Sequence, residues 1–397
     1  MEVKIEKIDN FGRGIAYIND KICFIEDALK DEIVDIEVIN EKKKYQEAIV
    51  KNYIEVSDKR IKEECPFSKI CGGCNLNHIS YEDENNFKKD KLKDLVTKFT
   101  NINQTKVEDI NYHERDNYRN KIVLHGNNKK LGLYKKHSNE IVEINKCLLV
   151  DNKINEVIKL LNTINKDIKE ATIKITNNQK EIMVSIKGEV TSTKELLSIA
   201  DVLIINDNYL TDKKQIINPI GNKKYYEGIS SFFQVNKTLT EKLYDEALNV
   251  EKEEKPNTVL DLYCGTGTIG IYVSDYCSKI IGIDYNKSNI EDANKNIRLN
   301  NCTNIDFICN KVENQIDKFK EIDLIIVDPP RSGLDNKTKE YLKLINPKKI
   351  IYISCDPVTL VRDINELEEN YEVKILKPYN MFPRTYHCET VAVLERK

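Results

Sequence analysis

No apolar run in the 397-residue chain approaches the ~20 residues that a membrane helix requires. The longest, in DLIIVDPP and KKIIYISC, are strand-sized, so no membrane span is expected. The N-terminus, MEVKIEKIDNFGRG, alternates charge with apolar residues and lacks the basic start and continuous apolar stretch of an export signal. A cytoplasmic protein is the expectation. Nor is there a surplus of one charge: 62 basic against 65 acidic residues leave a net charge of −3. Global charge therefore announces no nucleic-acid partner, and any such partner has to be sought in local patches. Internal repeats and low-complexity tracts are lacking too. Cysteine, by contrast, is plentiful. Of eleven, three fall within CPFSKICGGC at residues 65–74. In a reducing compartment such clustering points to metal ligation or catalysis rather than to disulfides. Cys23, Cys264, Cys277, Cys302, Cys309 and Cys388 read as ordinary packing residues.

The length exceeds what one hydrophobic core usually organises, so two or three domains are expected. Residues 1–56 contain five short alternating runs, VKIEKI, GIAYI, KICFI, IVDIEVI and AIVKNYIEV, separated by turn residues. That pattern predicts a small five-stranded β-barrel. Barrels of this size often bind oligonucleotides, but residues 1–60 hold eleven basic against fourteen acidic residues. An RNA role resting on Arg13 and Lys42 to Lys44, and a purely structural module, both fit. Residues 57–228 open with the cysteine cluster and a helix-like stretch. Residues 111–136 follow, with seven Lys or Arg against two acids and with Tyr112, Tyr118 and Tyr134 among them. Cations for phosphates interleaved with rings for unpaired bases suit single-stranded RNA; a solvated strand-rich face is the plainer reading. From residue 229 to 397, strand candidates TVLDLYCG, KIIGIDYN, NIDFICN, IDLIIVDPP, KKIIYISCD and TVAVLER alternate with helical spacing. The fold class expected there is α/β: a doubly wound, mostly parallel Rossmann-like sheet, with its ligand outside the carboxyl ends of the strands.

Gly265-Thr-Gly267-Thr-Ile-Gly270 follows the first of these strands and opens a helix, the context that gives this glycine spacing meaning. Asp284 ends the next strand, ~20 residues on, where a carboxylate can accept hydrogen bonds from a ribose. A ribose-bearing cofactor follows, either a dinucleotide or S-adenosylmethionine. Asp328-Pro329-Pro330 at the end of a later strand makes a stiff loop without proline N–H donors. Such a wall suits methyl transfer to a planar base better than hydride transfer, which favours the methyl donor.

Cys355, in KKIIYISCDP, lies at the carboxyl end of a strand, on the reactive edge of the sheet. A mid-strand cysteine would be inert, whereas one at this edge is a candidate nucleophile. Glu389, in HCETVAVLER, starts the last strand. Successive strand residues face opposite sides, so if Glu389 points into the site then Cys388 is packing. A thiolate, a carboxylate and a methyl donor at one edge match the chemistry of pyrimidine carbon 5. That carbon is too weak a nucleophile until a thiolate adds at carbon 6, and a base must afterwards remove its proton. Arg331 is positioned to balance charge on the ring oxygens, and the target base must be unstacked to enter.

SFFQVN at 231–236, DLYCGTGTIG, DPPRSG, SCDP and the HCET stretch occur in this order along nearly the whole chain. Together they resemble the RNA 5-methyluridine methyltransferase family, in particular its iron-sulfur members acting on uridine in 23S ribosomal RNA. The resemblance implies a TRAM RNA-binding domain over 1–56 and a central domain over 57–228 carrying a [4Fe-4S] cluster. It implies an S-adenosylmethionine-dependent domain over 229–397, with cofactor contacts at Gln234, Tyr263, Asp284 and Asp328. Cys355 is implied as nucleophile and Glu389 as base. Two departures from the pattern are Asp356, where Asn is usual, and Cys388, where Val is common. Cys65, Cys71 and Cys74 match the family's cluster ligands, with Cys147 placed as the fourth. The spacing alone would equally suit zinc; the resemblance favours iron-sulfur. Rival readings are an RNA cytosine-C5 or tRNA uridine-C5 methyltransferase, or a non-catalytic RNA-binding cluster protein. Cytosine enzymes usually carry cysteine where this chain has Arg331. A monomer is expected.

Overall fold

The computed structural model describes residues 1–249 and 255–397. Strands β1 (Glu2–Lys4), β2 (Lys7–Ile8), β3 (Gly14–Ile18), β4 (Lys21–Glu26), β5 (Ile33–Glu41) and β6 (Tyr45–Glu55) form one sheet in the order β1-β5-β6-β4-β3-β2. VKIEKI, expected as a single strand, is two. Its first half pairs with β5 at one edge and its second with β3 at the other. The chain bends at Ile5, which is fully buried, and so closes the sheet on itself around Ala16, Cys23, Ile25 and Val34. Closure removes the open edges that would otherwise invite pairing with other chains.

A second sheet combines β7 (Lys121–Asn127), β8 (Lys130–Tyr134), β9 (Ile141–Glu143), β10 (Asn165–Ile175), β11 (Ile182–Val190), β12 (Val202–Ile205) and β13 (Asn208–Tyr209) in the order β13-β12-β11-β10-β7-β8-β9. Its apolar face is covered by α2 (Asn152–Ile164), whose Ile154, Val157, Ile158 and Leu161 recur at helical spacing and are all buried.

The third sheet is the Rossmann-like one. It contains β16 (Thr258–Leu262), β17 (Lys279–Asp284), β18 (Ile305–Cys309), β19 (Leu324–Val327), β20 (Lys349–Ser354), β21 (Tyr371–Tyr379) and β22 (Glu389–Arg396), ordered β18-β17-β16-β19-β20-β22-β21. The first five are parallel; β22 runs antiparallel between β20 and β21. Strand order reverses between β16 and β19, which opens a crevice at their carboxyl ends. One face packs against α7 (Asn336–Ile345), α8 (Pro357–Leu367) and, from far earlier in the chain, α1 (Tyr81–Phe99), whose Leu92, Leu95 and Val96 enter the same core as Leu260, Val327 and Tyr352. The other face packs against α4 (Leu239–Asn249), α5 (Thr268–Val273) and the hairpin of β14 (Ile216–Ile220) and β15 (Lys223–Glu227). Thus α1 and the hairpin, although they lie within 57–228, are built into the methyltransferase-type core.

Candidate active site

The glycine corner is shaped by contacts that only glycine permits. Gly267 caps α5 with φ of +75°, and a Cβ there would lie 2.3 Å from the Phe307 ring. Gly265 has φ of +55° and nothing within 4 Å of its Cβ position, which leaves open space against bare backbone. Its N–H donates to Asp284 Oδ2 (3.1 Å), while Asp284 Oδ1 accepts from the Asn286 N–H (2.8 Å). Tyr263 exits β16 in a left-handed conformation (φ +63°), and its hydroxyl donates to Asp335 Oδ2 (3.1 Å). Gln234, Tyr263, Gly265 and Asp328 line a single cavity, together with Phe232, Tyr244 and Thr266. Beneath the corner lies Asp261, a buried carboxyl whose Oδ2 accepts the Gly270 N–H (3.0 Å) and whose Oδ1 has no partner. Burial, with Asp328 and Asp284 adding, pushes it up to about 8.

Beside this cavity the sheet register brings the two reacting candidates together. Ser354 on β20 pairs with Thr390 on β22, so Cys355 and Glu389 leave the sheet side by side. Burial pushes the Cys355 thiol up to about 11; Glu389 and Asp328 add to this, and Arg331 opposes it. Glu389 is 2% exposed. Loss of water, with Asp328 close by, holds its carboxyl well above the usual range, again against the pull of Arg331. Asp328, directly after β19, is raised to about 7 by burial. Cys388 is fully buried, its sulfur near the Tyr379 and Glu389 carbonyls (3.8 and 3.4 Å), and so packs. Asp356 caps α8, accepting the Val358 N–H (2.9 Å), a task Asn performs equally well.

The four cysteines expected to bind metal are neighbours. Cys74 is pushed up to about 12 by burial and by Cys147, Cys71 and Cys65, with Arg384 opposing. Backbone N–H groups are already directed at sulfur, Gly73 at Cys71 (3.4 Å), and Leu149 and Val150 at Cys147, a donor environment that suits thiolates. Among the described residues, however, no three Cys, His, Asp or Glu side chains stand in metal-holding geometry.

Of the tyrosines expected on an RNA surface, Tyr118 is buried, its hydroxyl donating to the Pro383 carbonyl (3.3 Å), and belongs to the core. Tyr112 and Tyr134 are exposed, and Tyr134 stacks on His125 at 4.2 Å. Two adjoining cavities of ≈ 400 and ≈ 420 Å³ share Glu26, Asn75, Lys136 and His137; one is lined by His125 and Tyr134, the other by Phe11, Arg13 and Tyr386. Arg13 is ion-paired with Asp9 (2.8 Å) and lies over the Phe24 ring, so its charge is already matched.

A family model described as tRNA (uracil-5-)-methyltransferase matches residues 197–397, and a TRAM-domain model matches residues 1–51. Relatives named "uncharacterized RNA methyltransferase" include one from Clostridium tetani, 32% identical over 96% of this chain and 93% of that protein. Another, from Aquifex aeolicus, is 33% identical over 100% and 99%. The chain belongs to the RNA uracil-5-methyltransferase family. A solved structure, Pyrococcus abyssi tRNA (uracil-54, C5)-methyltransferase with S-adenosyl-L-homocysteine, shares the fold with a TM-score of 0.81, at 23% identity, over 99% of this chain and all of that one. This methyltransferase is accordingly an S-adenosylmethionine-dependent enzyme acting on RNA uracil carbon 5, with a class I fold behind a TRAM domain. The sequence motifs do not point to Asp261, although a lone acid inside the apolar strand TVLDL is a usable signal, nor to Arg384, whose contacts lie hundreds of residues away.

Proposed function

We propose that the enzyme methylates carbon 5 of a uridine in 23S ribosomal RNA, with Cys355 as nucleophile and Glu389 as base. The observation that carries this reading is the Ser354–Thr390 register, which sets thiol and carboxylate side by side next to the glycine corner. Gln234, Tyr263, Gly265, Gly267, Asp284 and Asp328 are the residues that would hold S-adenosylmethionine. When bound, that cofactor supplies the methyl group from a sulfonium cation. The open space over Gly265 and the Asp284 carboxyl that accepts its N–H fit a ribose-bearing guest.

As Cys355 bonds to carbon 6, its proton passes to a neighbouring carboxylate and the ring π electrons move to the oxygen at carbon 4, balanced by Arg331. Carbon 5 then takes the methyl group. Glu389 removes the carbon 5 proton, the double bond reforms and the C6–S bond breaks, freeing Cys355. Glu389 acts here as the carboxylate, its own proton having passed to solvent before this step; burial holds the carboxyl above the usual range and Arg331 opposes that. General-base action of this kind contributes ~10²–10⁴-fold.

Cys65, Cys71, Cys74 and Cys147 are proposed to hold a [4Fe-4S] cluster rather than zinc. Their proximity and N–H donors support a thiolate site, and the resemblance of the set to the iron-sulfur members supports the cluster and 23S RNA. Tyr134 and Tyr386, in the adjoining cavities, are proposed to stack flanking nucleotides, and the enzyme to act as a cytoplasmic monomer. A tRNA uridine is the second reading, favoured by the matched family model and by the named substrate of the Pyrococcus abyssi enzyme.

Cys355→Ala should abolish methylation, and Glu389→Gln should accumulate a covalent protein–RNA adduct on denaturing gels. Equal adduct in both variants refutes the roles. Mass mapping of 5-methyluridine in RNA from a deletion strain decides between the two RNAs. Iron and sulfide content of anaerobically purified protein decides the metal.

A further inference from the structure

Residues 380–388, which lead into Glu389, are held largely by side chains from far upstream rather than by the sheet they enter. The Asn380 amide donates to Glu84 Oε1 (3.0 Å) and Asn85 Oδ1 (2.8 Å), and its oxygen accepts from Lys88 Nζ (2.5 Å). Lys88 also donates to the Phe382 carbonyl (3.1 Å). At the centre is Arg384, only 1% exposed, with φ of +66°. Its N–H donates to Glu84 Oε1 (2.9 Å), and its guanidinium to Asp116 (2.8 and 3.1 Å) and Glu64 Oε2 (2.5 Å). Its carbonyl accepts the N–H groups of Asn75 (2.9 Å) and Leu76 (3.0 Å). Glu64 directly precedes Cys65 and Asn75 directly follows Cys74, so this one residue clamps both ends of the cysteine segment.

A left-handed backbone at a non-glycine residue persists only where its surroundings impose it, and a buried guanidinium is costly to leave half-paired. None of this is needed to build the sheet, since β22 is paired with β20 and β21 from its first residues onward.

We propose that Arg384 is a positioning residue that ties the loop entering Glu389 to the four-cysteine segment, so that the alignment of the base depends on the fold of that segment. This rests on the reading of Glu389 as base. Cys355 is positioned by the end of β20, which Arg384 does not touch, whereas alignment of Glu389 depends on the loop that Arg384 holds. The defect on losing Arg384 is therefore confined to the second step.

The test uses the full-length protein with total ribosomal RNA from a strain lacking the gene. Arg384→Gln lowers kcat about 100-fold, as a misplaced catalytic group does, with KM for RNA within about threefold and with adduct accumulating on denaturing gels. Arg384→Lys recovers part of the rate by keeping one ion pair. Glu64→Gln, at a side chain 60% exposed, gives the same pattern more weakly and stands in should Arg384→Gln fail to fold. Amide hydrogen exchange, read without any turnover, rises over 380–388 but not over 349–354 in both Arg384→Gln and Glu64→Gln. Absence of adduct in the Arg384 and Glu64 variants, where Glu389→Gln accumulates it, overturns the proposal. So does unchanged exchange at 380–388 in these two variants. Absence of adduct in Glu389→Gln itself overturns the assignment of the base instead.

Discussion

The protonation state of Cys355 gives the sharpest prediction. Its thiol is raised to about 11, chiefly by burial and then by Glu389 and Asp328. A raised thiol pKa favours the protonated form, so reactivity is low at neutral pH and grows as pH rises. At pH 8 a thiol titrating near 11 is roughly 0.1% ionised, against about 25% for an ordinary thiol near 8.5, a deficit of about 240-fold. Greater basicity makes the thiolate a better nucleophile, and a slope of ~0.4–0.5 over ~2.5 units returns about 10–18-fold. The free enzyme should therefore alkylate at Cys355 about 20-fold more slowly than free cysteine at pH 8, before any loss of access. Iodoacetamide labelling from pH 7 to 10.5, read by mass spectrometry of the Cys355 peptide, should show about a tenfold rise per pH unit without a plateau below pH 10. Arg331→Ala should slow labelling further, because Arg331 favours the thiolate. A plateau below pH 9, or labelling at the free-cysteine rate, would refute this placement of the thiol. If the slow rate holds, thiolate formation belongs to the RNA-bound state, and the resting sulfur is protected from oxidation.

Gly267→Ala should cost at least ~1–3 kcal/mol of stability and weaken S-adenosylmethionine binding, because the new Cβ meets Phe307 at 2.3 Å; thermal unfolding and calorimetry check this. Gly265→Ala, with open space at its Cβ, should lose less stability while still impairing binding. Asp284→Asn should weaken S-adenosylmethionine binding by roughly 10-fold or more, since a charge-assisted hydrogen bond contributes about 1.5–3 kcal/mol; unchanged affinity would remove Asp284 from the cofactor site. Tyr134→Ala should raise KM for RNA with kcat preserved, whereas buried Tyr118→Ala should cost ~3–5 kcal/mol of stability and leave no folded enzyme to assay at elevated temperature.

How much could be read from sequence divides by range. The alternation of the Rossmann-like strands and the glycine corner are local patterns, and β16, β17, β18, β19 and β20 appear where the runs of Val, Ile and Leu lie. Strand β21, YEVKILKPY, is not legible in the sequence because its lysines and Pro378 mask the alternation, and its pairing is with a strand that comes later in the chain. VKIEKI looked like one strand because periodicity does not reveal which partner each half takes. Tyr118 looked like its neighbours Tyr112 and Tyr134, since burial of a tyrosine amid charged residues is decided by tertiary packing. The anchoring of 380–388 by Glu84 and Lys88 spans almost three hundred residues of sequence, and no spacing rule reaches that far.

The direction of the final strand has a consequence for where an enzyme of this fold can keep its base. A parallel strand arriving beside β20 would deliver its last residue to the reactive edge and bury its first at the opposite rim, roughly 20 Å away. Because β22 travels the other way, it is the beginning of the strand that meets Cys355. The proposed base therefore enters the sheet where the proposed nucleophile leaves it, and reversing a single strand would uncouple the two.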